Sequence, residues 1–241
     1  MEHRFWRSIC FNQPIATNDT IYVRTSSSSS AQGIASIYSF TIDGTVNWRV
    51  ENSNSTMSDL TPLVYVGSGQ GACGQWPDMV LVGWSDGLLQ ALDAHNGAVV
   101  WQHFTEKHSW GITGSMLIEE ETVTLPTRNS VDQLCLNGDL LFSQDIGYGW
   151  RNGVTFADGH YWVGDEIGNL WAVNADVAVN YTVGNGKIRH APMNLMNGDL
   201  LIHLQTTSGS TILQFDTASK TATAVLDTGF IPGKPIVLND Y

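Results

Sequence analysis

Four short segments hold the side chains best suited to recognition: His108-Ser109-Trp110-Gly111, Tyr148-Gly149-Trp150-Arg151-Asn152, Lys187-Ile188-Arg189-His190 and Phe230-Ile231-Pro232-Gly233-Lys234. The chain has 11 Lys plus Arg against 23 Asp plus Glu. Arg151, Lys187, Arg189 and Lys234 therefore concentrate scarce positive charge in these stretches, and an acidic group or peptide is the ligand class such a concentration attracts. Trp and Arg are also the residue types that contribute most when desolvated at an interface. Trp110, Trp150, Arg151, Arg189 and His190 are accordingly the expected binding residues. The competing view makes Trp110 and Trp150 packing plugs and the cations a balance for an acidic body.

Covalent and metal chemistry find less support. The seven histidines form neither H-x-H nor H-E-x-x-H, so ordinary surface roles are expected of them and no metal ligands are predicted. No G-x-S-x-G turn marks a nucleophile, and no catalytic residue is assigned. Gly69-Gln70-Gly71-Ala72-Cys73-Gly74 satisfies G-x-G-x-x-G, but a phosphate cradle needs a helix after the last glycine to aim its amides. Gln75-Trp76-Pro77 and a strand follow instead, which makes the stretch an inserted loop. Cys10, Cys73 and Cys135 are scattered, with no C-x-x-C and no adjacent pair. That spacing argues against a zinc site and against a disulfide framework.

A formal net charge of -12 repels a nucleic-acid backbone and an anionic membrane. No apolar run approaches the roughly 18 residues of a transmembrane segment, and the start MEHRFWRS lacks the apolar centre of a signal peptide.

The elements that must position these residues are strands. Asp78 to Phe104 contains two apolar runs, Met79 to Trp84 and Leu88 to Leu92, separated by Ser85-Asp86-Gly87, the punctuation of a tight hairpin. A third run, Ala98 to Trp101, follows a turn at Asp93 to Gly97. Weaker copies place Trp48 after Gly44, Phe142 after Gly138 and Tyr181 at the end of Gly168 to Tyr181. Asp216 to Lys220 aligns with the Asp93 turn, with Ala224 where the next aromatic belongs. No window has the apolar spacing of an amphipathic helix.

Repeats of roughly 40 residues predict an all-β propeller of about five four-stranded blades, because one blade cannot bury both of its faces alone. A single domain over 1–241 is expected, with blades at approximately 14–50, 60–104, 112–146, 154–183 and 193–226. Trp48, Trp101, Phe142 and Tyr181 are the expected docking aromatics between blades. Segments 1–13 and 234–241 read as single strands of incomplete or shared blades. Either they close a small ring together, or the stretch is a piece of a larger propeller. Two strands are few for a whole blade, which favours the second.

Ala91 to Trp101 fits A-x-D-x-x-x-G-x-x-x-W and resembles the tryptophan-docking repeat of pyrroloquinoline-quinone-type, quinoprotein dehydrogenase-like propellers. The resemblance implies seven or eight blades, Asp and Gly shaping the turn before each outer strand, and a Trp packed flat between blades. For the enzymes of that family it further implies adjacent cysteines in a ring disulfide, a Trp under the quinone, and Glu, Asn and Asp ligands to calcium. No Cys-Cys pair and no matching acidic and amide cluster is found, so no cofactor is predicted. Two functions follow from the resemblance. One is a non-catalytic scaffold with a protein partner, similar to outer-membrane assembly or cell-surface sensor propellers and hence extracellular, periplasmic or cell-surface. The alternative is part of a quinone-dependent oxidoreductase, with pyrroloquinoline quinone and calcium, whose cofactor site has diverged or lies elsewhere.

Overall fold

A computed structural model describes residues 13–26, 34–55, 61–105 and 110–229. Outside them lie nearly all of the strand expected over 1–13, the 234–241 strand, most of the serine run, His108, Ser109 and the segment from Phe230 to Lys234. The described residues are strands and turns with no helix, and no helix among them is long and apolar enough to cross a membrane.

The strands form successive antiparallel blades, each a meander. The first is β1 (Ile15–Ala16), β2 (Thr20–Thr25), β3 (Ala35–Thr41) and β4 (Val46–Asn52). The second is built from β5 (Val64–Val66), β8 (Met79–Gly83), β9 (Leu88–Asp93) and β10 (Val99–Phe104). Between β5 and β8 stands a separate hairpin, β6 (Gly69–Gly71) and β7 (Gly74–Trp76). The third blade is β11 (Leu117–Glu119), β12 (Thr122–Pro126), β13 (Ser130–Cys135) and β14 (Leu140–Asp145), and the fourth is β15 (Val154–Ala157), β16 (His160–Gly164), β17 (Asn169–Val173) and β18 (Ala178–Thr182). In the fifth, β21 (Leu200–Gln205), β22 (Ser210–Asp216) and β23 (Thr221–Thr228) are joined by two short strands on the free edge of β21, β19 (Lys187–Ile188) and β20 (Met193–Asn194). The fold is of the β-propeller type, with five such blades among the described residues.

Burial explains the sequence pattern. Met79–Gly83 is buried at every position, hence its unbroken apolar run, whereas outer strand β10 alternates exposed and half-buried residues. The G-x-G-x-x-G stretch is the β6–β7 hairpin, with Gly69 opposite Trp76 and Gly71 opposite Gly74. No helix follows to receive a phosphate.

Two compact units divide the chain. The first comprises the described residues up to Thr113 with Glu120–Thr122 and Leu134–Asp139. In its core Tyr22, Ile37, Trp48, Val80, Val82, Trp84 and Leu92 pack between the first and second blades. The Trp48 indole donates to the Ala94 carbonyl at 3.0 Å, and its ring lies against Gly97. A Cβ on Gly97, whose φ is +73°, would stand 2.8 Å from that ring. Trp101 repeats the arrangement one blade on, donating to the Leu136 carbonyl at 2.8 Å with Gly138 beneath it. The repeat glycine thus has two tasks: it takes the left-handed turn conformation, and it clears a seat for the preceding blade's tryptophan.

The Tyr22 hydroxyl donates to the same Ala94 carbonyl at 3.2 Å. Burial, reinforced by Tyr65 and the carboxylates of Asp19 and Asp78, pushes its pKa from 10.0 up to about 12. The fold favours the neutral phenol, so this contribution to stability is whole below pH 10 and is lost as pH rises from 10 to about 12. Denaturant midpoints measured across that window should fall for the native chain and fall less steeply for Tyr22→Phe.

Cysteine spacing misleads in this unit. Contrary to the expectation of no disulfide framework, Cys73 and Cys135 are disulfide-bonded, with Cα atoms 5.7 Å apart across a separation of 62 residues. The inserted hairpin carries Cys73 in its turn and reaches the end of β13, whose last residue is Cys135. The Cys73 amide also donates to the Glu121 carboxylate at 2.8 Å.

The second unit comprises Gly114–Glu119, Val123–Gln133 and the described residues from Leu140 onward. Phe142 packs with Tyr161, Val163, Val173 and Ala178. Tyr181 packs with Trp162 and Phe215, ring centroids 6.1 and 5.7 Å away. The Asp216 turn matches the Asp93 turn: each Asp carboxylate accepts the amides two and three residues on. Lys220 stands where Gly97 does, also left-handed at φ 60°. Its ammonium lies 5.1 Å from the Trp162 ring and 5.9 Å from the Tyr181 ring. A cation over the aromatics replaces the bare glycine seat here.

Candidate interaction site

The segments between blades fold back over their own blade's central hairpin. Gly111 N–H donates to Ser85 O at 2.8 Å, Gly149 N–H to Arg128 O at 2.7 Å, and Ile188 N–H to Asp165 O at 2.9 Å. Backbone pairing thus anchors the base of each segment.

Four of the five residues expected to bind belong to the second unit. Trp150 lies beneath two guanidiniums, with Arg151 Cζ 4.6 Å and Arg189 Cζ 4.1 Å from its ring centroid. Arg189 is fixed by a bidentate pair with Glu166, Nε to Oε1 at 2.7 Å and Nη2 to Oε2 at 2.6 Å. Glu166 is only 9% exposed at its side chain and also faces Lys187 Nζ at 3.5 Å. Planar, two-point pairing of this kind fixes guanidinium orientation as well as position. Burial, with the neighbouring Arg189 charge adding, lowers the Arg151 pKa.

The path of the fifth blade's edge explains the grouping. β19 pairs Lys187 with Gln205 and Ile188 with Leu204, while β20 pairs Met193 with Leu201. Between them Arg189, His190, Ala191 and Pro192 leave the sheet, and the Thr155 hydroxyl of β15 donates to the Pro192 carbonyl. From the preceding blade, Glu166 N–H donates to Tyr148 O at 2.9 Å. These bonds tie the 148–152 segment, the β16–β17 turn and the 189–192 excursion to one another.

His190 stacks on His203, ring centroids 5.3 Å apart and planes within 8°. His203 corrects the expectation of surface histidines, being 4% exposed. Burial holds its pKa below the usual histidine range, so the ring stays neutral at neutral pH. Its place inside Leu200-Leu201-Ile202-His203-Leu204, a run buried on both faces of the strand, is the sequence signal for that. Glu166 was also missed, since nothing in sequence points to a guanidinium 23 residues on. Trp110 belongs to the first unit, half-buried and left-handed at φ 67°.

Beside this group is a cleft of about 440 Å³ lined by Glu166, Ile167, Asn185, Lys187, Gln205 and Thr206. Asp165, at the base of the same turn, is fully buried. It receives the Ile167 and Asn169 amides, the Asn169 side chain and the Trp171 indole.

A quinone and calcium site would need a ring of adjacent cysteines and a set of acidic and amide ligands. The Cys73–Cys135 bond joins the turn of the separate β6–β7 hairpin to the end of β13, so it is not the ring of adjacent cysteines such a site uses. The Asp165 carboxylate is taken up by turn donors. Among the described residues no group of three or more His, Cys, Asp or Glu stands ready to hold a metal.

No protein-family model matches the chain, and no curated protein does. Solved structures do. BamB from Moraxella catarrhalis superposes with a TM-score of 0.60 at 17% identity, covering 91% of this chain and 62% of that one. The quinohemoprotein alcohol dehydrogenase from Comamonas testosteroni gives 0.63 at 14% identity, over 94% and 44%. Its counterpart ADHIIG from Pseudomonas putida HK5 gives 0.62 at 15%, over 94% and 42%. At such identities the likeness establishes the fold, and the chain spans less than two thirds of each of these structures.

Proposed function

We propose that this propeller of the quinoprotein-dehydrogenase-like type is a non-catalytic scaffold that binds a protein partner through Trp150, Arg151, Arg189 and His190. The observation that carries this is the Trp150 ring beneath two guanidiniums, one of them locked to a buried carboxylate. A large aromatic and an oriented cation held in place before binding have little freedom left to lose on association, which is what makes a surface patch adhesive. The Cys73–Cys135 bond supports an extracellular, periplasmic or cell-surface location, because disulfides persist in oxidising compartments.

The test is crosslinking and pull-down from the native source with the native chain and a Trp150→Ala, Arg151→Ala double variant. Truncating such anchors typically removes about 2 kcal/mol or more each, so the double variant should lose its specific partner while keeping its melting temperature. Unchanged recovery would remove this face from consideration.

The oxidoreductase alternative draws on the fold shared with the two alcohol dehydrogenases. Titration with pyrroloquinoline quinone and calcium, followed by absorbance and thermal shift, separates the two. The scaffold reading expects no saturable response, and a calcium-dependent spectral change would promote the enzyme.

A further inference from the structure

The cleft beside Glu166 has a chemical preference of its own. Arg189 engages both oxygens of the Glu166 carboxylate, and Lys187 stands 3.5 Å from one of them. The acidic wall is therefore neutralised. What remains to meet a ligand is the Lys187 ammonium, 46% exposed at its side chain, with the amides of Asn185 and Gln205 around it. Arg151 adds a second cation nearby, over the ring that Arg189 also covers. Asp165 keeps its charge, but its carboxylate is turned into its own loop onto N–H donors, and the three cations Arg151, Lys187 and Arg189 still outnumber the two carboxylates of Asp165 and Glu166. In a chain of net charge -12 this is a local reversal of sign, and anions gather at such a place.

We infer that the cleft receives the carboxylate of an acidic side chain, Asp or Glu, from the bound partner segment. The inference rests on the interaction reading above. A cleft of about 440 Å³ exceeds a lone carboxylate and suits a side chain with some of its backbone. Ile167, 71% exposed at the cleft's edge, supplies an apolar contact for the stem of that side chain. Continuity with the aromatic platform favours a chain segment over a free small acid. Glu166 lines the cleft, and its partner Arg189 covers Trp150, so a single ion pair joins the two subsites. Lys187 is the main charge partner. Asn185 and Gln205 are orienting donors, while the Thr206 hydroxyl donates to the Gly209 carbonyl.

The experiment is a titration of the isotopically labelled chain, followed by the side-chain amide resonances of Asn185 and Gln205. The probes are acetyl-Gly-Gly-Glu-Gly-Gly-amide, the same peptide with Gln for Glu, and sodium succinate. The Glu peptide should shift both resonances saturably and the Gln peptide should not. Lys187→Met should weaken the Glu peptide about tenfold, as expected for loss of a charged hydrogen bond, with Lys187→Arg restoring most of it. If Lys187→Met does not fold, rising ionic strength must weaken the native chain's binding instead. Equal shifts from the Gln peptide, or succinate binding as tightly as the Glu peptide, overturn the assignment. Unmoved resonances alongside a partner lost on Trp150→Ala, Arg151→Ala overturn it while leaving the interaction reading intact. Glu-peptide binding with unchanged partner recovery in that double variant overturns the partner reading and this use of the cleft with it.

Discussion

Trp48→Ala is expected to lower the unfolding free energy by about 3–5 kcal/mol, and Trp101→Ala by an amount near the lower end of that range. Trp48 is 8% exposed within a core shared by two blades, whereas Trp101 is half-buried. Each removal empties the seat over a repeat glycine and leaves a carbonyl, Ala94 or Leu136, without its indole donor. The seat can be probed from its other side. Gly97→Ala places a Cβ 2.8 Å from the Trp48 ring while holding a non-glycine residue at φ +73°, and the left-handed backbone alone costs about 1–2 kcal/mol. In the Trp48→Ala background only that backbone part should remain, so the double-mutant cycle should show a favourable coupling. Denaturant melts measure all three. A loss at Trp48 no larger than at the exposed outer-strand residue Val99 would show that the ring does not join the blades.

Reduction of Cys73–Cys135, or Cys135→Ser, should lower stability by about 2–4 kcal/mol, the usual effect of opening a long cross-linked loop. With the cysteines 62 positions apart the effect belongs toward the upper part of that range. The consequence should also be local. The β6–β7 hairpin lacks a wide sheet of its own and is held through Cys73, the Cys73 amide on Glu121 and the Trp76 indole on the Gly67 carbonyl. Limited proteolysis of the reduced chain should therefore cut first within 69–76. An unchanged melting temperature together with unchanged cleavage would show that the bond is incidental to the fold.

The hairpin also shows where legibility ends. The G-x-G-x-x-G stretch could be rejected as a phosphate cradle because the residues after it cannot begin a helix, a purely local matter. That its turn cysteine would meet Cys135 could not be read, because the proximity depends on how an inserted hairpin lies against the next blade. The same division runs through the residues proposed to bind. Concentration of cations and tryptophans in connecting segments is a property of composition, and it brought out Trp150, Arg151, Arg189 and His190. Glu166, which orients Arg189, and His203, which underlies His190, sit on other strands and turns and carry no motif.

By itself the sequence determined the all-β class and the blade repeat. Period-2 burial, turn glycines and large residues recurring roughly every 40 positions are set by local geometry and by the need of each blade to cover its neighbour. Only the tertiary structure decided that Gly97 and Gly138 seat tryptophans, that Lys220 replaces a glycine with a cation over two rings, and that Cys73 bonds Cys135. It alone broke the fifth blade's edge between Ile188 and Met193, lifting Arg189 toward Trp150. Such pairings join residues distant along the chain, and their energies depend on distance and burial, quantities that exist only once the strands have packed.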